Sequence, residues 1–96
     1  PTLLDLAGLP VPEGLDGASF AKGLTGGTFE ERPVFWHFPH YTNQGGRPSG
    51  AMRDGDWLLV EFYDEDKTEL YNLADDAAQK QDLAPREPER VAAMKA

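Results

Sequence analysis

His37, His40, Tyr41, Asn43 and Arg47 form the one polar cluster in this sequence suited to an anionic ligand bearing hydroxyl groups. The guanidinium of Arg47 is a planar, two-pronged donor that fits a sulfate or a carboxylate, and a His can donate to an ester oxygen. In the alternative reading, His37 is a hydrogen-bonded sheet residue and Arg47 a solvated loop residue. A metal centre on His37-x-x-His40 is disfavoured. Pro39 breaks the regular spacing, no Cys is available, and two His fall short of the three or four ligands a zinc site takes. Asp64-Glu65-Asp66 and Asp75-Asp76 lack the ligand spacing and terminal Glu of a calcium loop, and read as solvated turns. Trp36 and Trp57 could stack on a sugar ring, although aromatic residues in strands are more often packing residues.

The elements that must position this cluster follow from residue pattern. Val34-Phe35-Trp36-His37-Phe38, bounded by Pro33 and Pro39, is aromatic and β-branched and suits a short edge strand. Tyr41 to Ser49 is a polar loop with Gly45-Gly46 and Arg47-Pro48. Asp54-Gly55 between apolar runs is a strong hairpin signal, with both residues expected at positive φ. A second hairpin through Asp64 to Lys67 leads into a strand from Thr68 to Leu73. The strand from Trp57 to Tyr63 presents Leu58, Val60 and Phe62 on one side and Trp57, Leu59 and Tyr63 on the other, with Glu61 its only charge. A sheet wet on one side shows cleaner alternation, so both faces want cover.

Flanking segments complete the frame. Pro1 to Pro10 reads as the end of a helix, with Gly8 as its C-terminal cap and Pro10 as a stop. Val11 to Gly27 is a connector with one helical turn at Ser19 to Leu24, capped by Ser19. Glu87 to Met94 begins a second helix, with Pro88 in its first turn and Val91 and Met94 as an apolar stripe that lies across the sheet.

Composition bounds the function classes. The 96 residues carry 17 acidic and 9 basic side chains, a net charge of −8. With Lys67 the lone cation between Asp54 and Asp76, no basic stripe exists, so nucleic acid is not an expected partner. Apolar runs fall far below the ~20 residues of a membrane span, so a membrane is not expected either. The absence of Cys excludes disulfides without fixing the compartment. A start on Pro1-Thr2, without Met or a signal sequence, suggests an excised fragment.

Several stretches in order resemble the C-terminal portion of the sulfatase family, in the alkaline-phosphatase-like superfamily. They are Pro1-Thr2-Leu3-Leu4-Asp5-Leu6-Ala7-Gly8-Leu9, Leu15-Asp16-Gly17-Ala18-Ser19-Phe20, Arg32 to Tyr41, Arg53-Asp54-Gly55-Asp56-Trp57, Glu69-Leu70-Tyr71-Asn72-Leu73, Asp75-Asp76 and Asp82-Leu83-Ala84. Leu58, where many relatives have Lys or Arg, and Gln79, where many have Glu, depart from the pattern. The resemblance implies a parent enzyme that hydrolyses sulfate esters through a formylglycine beside a calcium ion, and a periplasmic or secreted location is compatible with it. The motif that yields formylglycine, Cys/Ser-x-Pro/Ala-x-Arg, is not found here. Ser19 and Ser49 do not begin it, so no cofactor and no catalytic residue is expected in these residues. The segment after the first strand approaches the substrate pocket in the family, which implies contacts from His37, His40, Tyr41, Asn43 and Arg47 to sugar hydroxyls or a second anionic group.

The expected fold is α+β: a small antiparallel sheet of about four strands with a C-terminal helix packed on one face, docked on the larger α/β catalytic domain of the same chain. The expected divisions are 1–31 as helix end and connector, 32–75 as sheet, and 76–96 as loop and helix. An independent β-rich carbohydrate-binding or interaction module is the alternative from another class. A phosphoesterase or phosphonate hydrolase of the same superfamily is a third reading.

Overall fold

The computed structural model describes all residues from Pro1 to Ala96. Two compact units divide it, Pro1–Glu31 and Arg32–Ala96.

The first unit is built on two short helices, α1 (Thr2–Leu6) and α2 (Ala21–Leu24). α1 stops because Gly8 adopts φ +70, which lets Gly8 N–H reach Asp5 O at 3.0 Å and Leu9 N–H reach Leu4 O at 2.9 Å. That pair of bonds is the Schellman motif, and only a residue without Cβ takes the left-handed turn easily. Side chains tie the two helices together. Ser19 Oγ donates to Asp5 Oδ2 at 2.5 Å, Phe20 N–H donates to Thr2 Oγ1 at 3.2 Å, and Ala21 N–H donates to Ser19 Oγ at 3.2 Å. Ser19 thus supports the helix from one position before its N-cap, Phe20. Ala21 is the only buried apolar residue of this unit.

The second unit is a meander of four antiparallel strands in the order β1 (Val34–Phe38), β2 (Ser49–Asp54), β3 (Trp57–Phe62) and β4 (Lys67–Asn72), followed by α3 (Pro88–Lys95). Leu59 pairs with Met52 on one side and Leu70 on the other, and this row is the centre of the core, with Leu59 and Leu70 buried. The β2–β3 hairpin differs from expectation by one residue. Asp54 belongs to the strand, paired with Trp57, and the two-residue turn is Gly55-Asp56, with positive φ at Gly55 alone. This is the pattern of the II′ class, in which glycine takes the first turn position. β4 likewise begins and ends one residue earlier than its apolar pattern suggested, because the β3–β4 loop closes at Phe62↔Lys67, with Asp66 at φ +48.

The register assigns each side chain to a face. Phe35, His37, Gly50, Met52, Trp57, Leu59, Glu61, Thr68 and Leu70 share the face on which α3 lies. The helix is fixed there by Lys95 Nζ, 2.7 Å from Glu61 Oε1 and 3.2 Å from Thr68 Oγ1. At its other end the Arg90 guanidinium sits 4.1 Å above the Trp57 ring. Pro88 starts α3 at a position where the missing N–H is no loss. α3 does not cover the opposite face. Val34, Trp36 and Phe38 of β1 are exposed on it, beside Val60 and Phe62 of β3.

β4 is an edge strand, and the segment after it closes that edge. Leu70 N–H donates to Asp82 Oδ1 and Leu70 O accepts from Leu83 N–H at 2.8 Å. The segment is itself folded around Asp76, whose carboxylate accepts from the amides of Lys80 and Gln81, both at 2.8 Å. Capping an open edge in this way removes a template for unwanted strand pairing.

Candidate functional site

β1 and β2 are joined by residues 39–48, and this loop carries most of the cluster singled out by residue type. Pro39 stops β1, and the loop then folds on itself. Thr42 N–H donates to Gly46 O at 3.0 Å, Gly45 N–H to Thr42 O at 3.2 Å, and Gly46 N–H to Thr42 Oγ1 at 2.8 Å. Gly45 has φ +85, and a Cβ at Gly46 would overlap the Thr42 side chain, so both glycines are required by the turn.

The two ends of the loop meet on one carboxylate. Arg47 Nε donates to Asp64 Oδ2 at 3.1 Å and Arg47 Nη2 to Asp64 Oδ1 at 2.9 Å, while Tyr41 Oη donates to Asp64 Oδ2 at 3.2 Å. Glu65 Oε1 adds a second contact to Arg47 Nη2 at 2.7 Å. The guanidinium lies 5.1 Å from the centre of the Phe62 ring, on the face opposite α3. These contacts set the electrostatics. Hydrogen bonds to Asp64 and then Glu65 raise the Arg47 pKa further above its ordinary range, and the Arg47 bond holds the Asp64 carboxyl below its own. Loss of water contact, and then the bond to Asp64, raise the Tyr41 phenol.

The sequence cluster therefore separates into parts. Tyr41 and Arg47 come together, but on Asp64. His40 is exposed and packs edge-on against Phe38, with ring centres 5.6 Å apart. Asn43 is exposed at the tip of the loop. His37 points to the α3 side of the sheet, where its Nδ1 lies 3.0 Å from Tyr63 Oη. There a cleft of about 270 Å³ opens between β1 and the end of α3, lined among others by Phe35, His37, Tyr63, Met94 and Lys95. Gly50 makes the His37–Tyr63 contact possible, since any Cβ at that position would overlap the Tyr63 hydroxyl.

Residues 1–94 match the family model described as N-sulphoglucosamine sulphohydrolase, C-terminal. The chain belongs to that family. Its sequence is 30% identical over 100 residues to a sulfatase of Formosa agariphila, an alignment covering 92% of this chain and 18% of that protein. Among solved structures, one from Bacteroides thetaiotaomicron described as that of a sulfatase superposes with a TM-score of 0.79 at 25% identity, covering 99% of this chain and 21% of the other. A 2-O GAG sulfatase superposes with the same TM-score, identity and coverage. The chain thus spans about a fifth of the length of the sulfatases it matches.

The chain has no Cys, and no group of three or more His, Cys, Asp or Glu side chains is arranged to hold a metal ion. Asp64 and Asp76 have their oxygens directed to Arg47, Tyr41 and backbone amides. Residue type alone missed Tyr63, Asp64 and Glu65 as partners of the polar cluster. The available signal was a lone Arg in one loop and a run of three acids in a hairpin turn, but only the β2–β3 register brings those two loops to the same end of the sheet.

Proposed function

We propose that residues 39–48 form part of the wall of a substrate pocket in a sulfatase, and that His40 and Asn43 are the side chains that reach the substrate. The observation that carries this reading is the anchoring of the loop. Tyr41 and Arg47 are held on Asp64, which leaves His40 and Asn43 exposed on a loop of defined shape. Substrate-contacting groups need this kind of support from residues that do not move.

In this reading the parent chain is a sulfuric ester hydrolase. Its nucleophile, formylglycine, and its calcium ion belong to a larger N-terminal catalytic domain, so residues 1–96 alone do not hydrolyse sulfate esters. The face carrying Trp36, Phe38 and Val60 packs on that domain. The substrate is a sulfated sugar, a class supported by the family's name and by likeness to a 2-O GAG sulfatase. His40 donates a hydrogen bond to a sugar hydroxyl or an anionic oxygen, and Asn43 offers both a donor and an acceptor. Because Arg47 is already paired with two carboxylates, its part is structural support of the loop. His37 lies on the α3 side of the sheet with its Nδ1 against Tyr63 Oη, and its part is structural.

The test is His40→Ala in the full-length parent, with kinetics on N-sulphoglucosamine and sulfated glycosaminoglycan disaccharides, and on 4-nitrocatechol sulfate as a small comparator. A rise in KM of roughly three- to ten-fold on the sugar, with little change on the aryl ester, is expected for loss of one polar substrate contact. Unchanged sugar kinetics would remove His40 from the pocket.

A further inference from the structure

We infer that Asp64 is a positioning residue for sugar selectivity: it sets the conformation in which the β1–β2 loop presents His40 and Asn43, without touching the substrate itself. This rests on the reading of the loop as pocket wall. Both oxygens of Asp64 are occupied by the loop, Oδ1 by Arg47 Nη2 and Oδ2 by Arg47 Nε and Tyr41 Oη. Asp64 therefore has little remaining capacity to bind a ligand, its oxygens being engaged in holding the loop. The two anchored residues bracket the turn from Thr42 to Gly46, and the neighbouring backbone bond from Tyr63 N–H to Pro48 O, at 3.0 Å, fixes the far end of the loop to the same hairpin.

The geometry also explains why one residue carries this role. A two-pronged bond between Arg and carboxylate fixes orientation as well as distance, so rotation of the loop about Arg47 breaks at least one prong. Tyr41, at the other end of the loop, adds a third bond to the same carboxylate. Glu65, through a single contact to Arg47 Nη2, adds charge but no second plane. Exposed ion pairs contribute little to global stability, and Asp64, Glu65 and Arg47 lie at a loop end of the sheet. Removing Asp64 should therefore loosen the loop much more than it unfolds the domain.

The experiment is a double-mutant cycle in the full-length parent with Asp64→Ala, His40→Ala and the pair, reading KM and kcat on N-sulphoglucosamine or sulfated glycosaminoglycan disaccharides and on 4-nitrocatechol sulfate. Asp64→Ala is expected to raise sugar KM roughly three- to ten-fold, with kcat on the aryl ester held within about two-fold, and to have a clearly smaller effect in the His40→Ala background, where only the share carried by Asn43 remains. Arg47→Lys, which keeps the charge but not the fork, should reproduce the KM rise and guards against failure of Asp64→Ala to fold. Additive effects of Asp64→Ala and His40→Ala, or an unchanged KM in both Asp64→Ala and Arg47→Lys, overturn the inference while leaving the loop reading in place. If His40→Ala itself has no effect on sugar KM, the loop reading falls and the inference falls with it.

Discussion

The backbone amide of Leu70 donates to Asp82 Oδ1 at 3.0 Å, across a gap of twelve residues in sequence. Leu70 is the fully buried side chain of the unit, and its amide faces the outer edge of β4. The same Asp82 oxygen accepts from Ala84 N–H at 2.9 Å, so one carboxylate both seals the strand and turns the chain that follows it.

Asp82→Ala is therefore expected to leave a buried amide without an acceptor, at a cost of about 1–3 kcal/mol. Hydrogen exchange at the Leu70 amide in the parent protein should accelerate, and Asp82→Asn, which keeps an acceptor oxygen, should show a smaller change. Unaltered protection of Leu70 in the Ala variant would mean that the edge is held by the Leu83 bond alone.

Acid should loosen this region before neutral pH does. Asp64 is held below its ordinary value by Arg47, Glu69 by Lys67 and then Tyr71, and Asp76 by the amides of Lys80 and Gln81. A carboxyl whose pKa is lower in the folded state contributes stability that is complete above its unfolded value, about 4, and is lost as the pH falls through the folded value. Thermal stability attributable to these groups should be flat from pH 7 to about pH 5 and decline below about pH 4. The amides of Lys80 and Gln81 should then exchange faster than the intrinsic pH effect predicts, and Asp76→Asn should remove that extra dependence. Protection that increases on acidification would contradict the assignment.

Gly50→Ala places a methyl group where the Tyr63 hydroxyl lies. Tyr63 is the far end of a side chain and partly exposed, so it is expected to swing away rather than deform β2. The consequence is loss of the His37–Tyr63 hydrogen bond, at about 1 kcal/mol, with the His37 ring resonances shifted in NMR spectra. In a Tyr63→Phe background the added methyl should have a smaller effect, since the obstructing oxygen is gone. Equal effects in both backgrounds would show that the strain lies in the backbone.

Much of the frame was legible in the sequence because it is local. Val34 to Phe38 between two prolines gave β1, Asp54-Gly55 marked the first hairpin, and Gly8 ended α1. Pro88 opened α3. What the sequence did not show is set by pairing at a distance. Asp64-Glu65-Asp66 reads as a solvated turn until the β2–β3 register places Asp64 within reach of Arg47, seventeen residues earlier. Asp82 looks like any loop acid until the chain returns along β4. The turn class also escaped, since turns centred on Asp54-Gly55 and on Gly55-Asp56 both fit within the five residues from Arg53 to Trp57 and only strand pairing chooses between them.

The knot at Asp64 separates what the loop presents from what holds it. Tyr41 and Arg47 fix the two ends and Thr42, Gly45 and Gly46 shape the turn, so Asn43 and Gln44 at its tip can be exchanged while the four strands keep their register. A scaffold of this type gives evolution, or a protein engineer, a replaceable cassette of a few residues at the sheet's end. Under the pocket-wall reading proposed above, new sugar preferences are explored by rewriting that tip while the turn residues and the three side chains of the knot are kept.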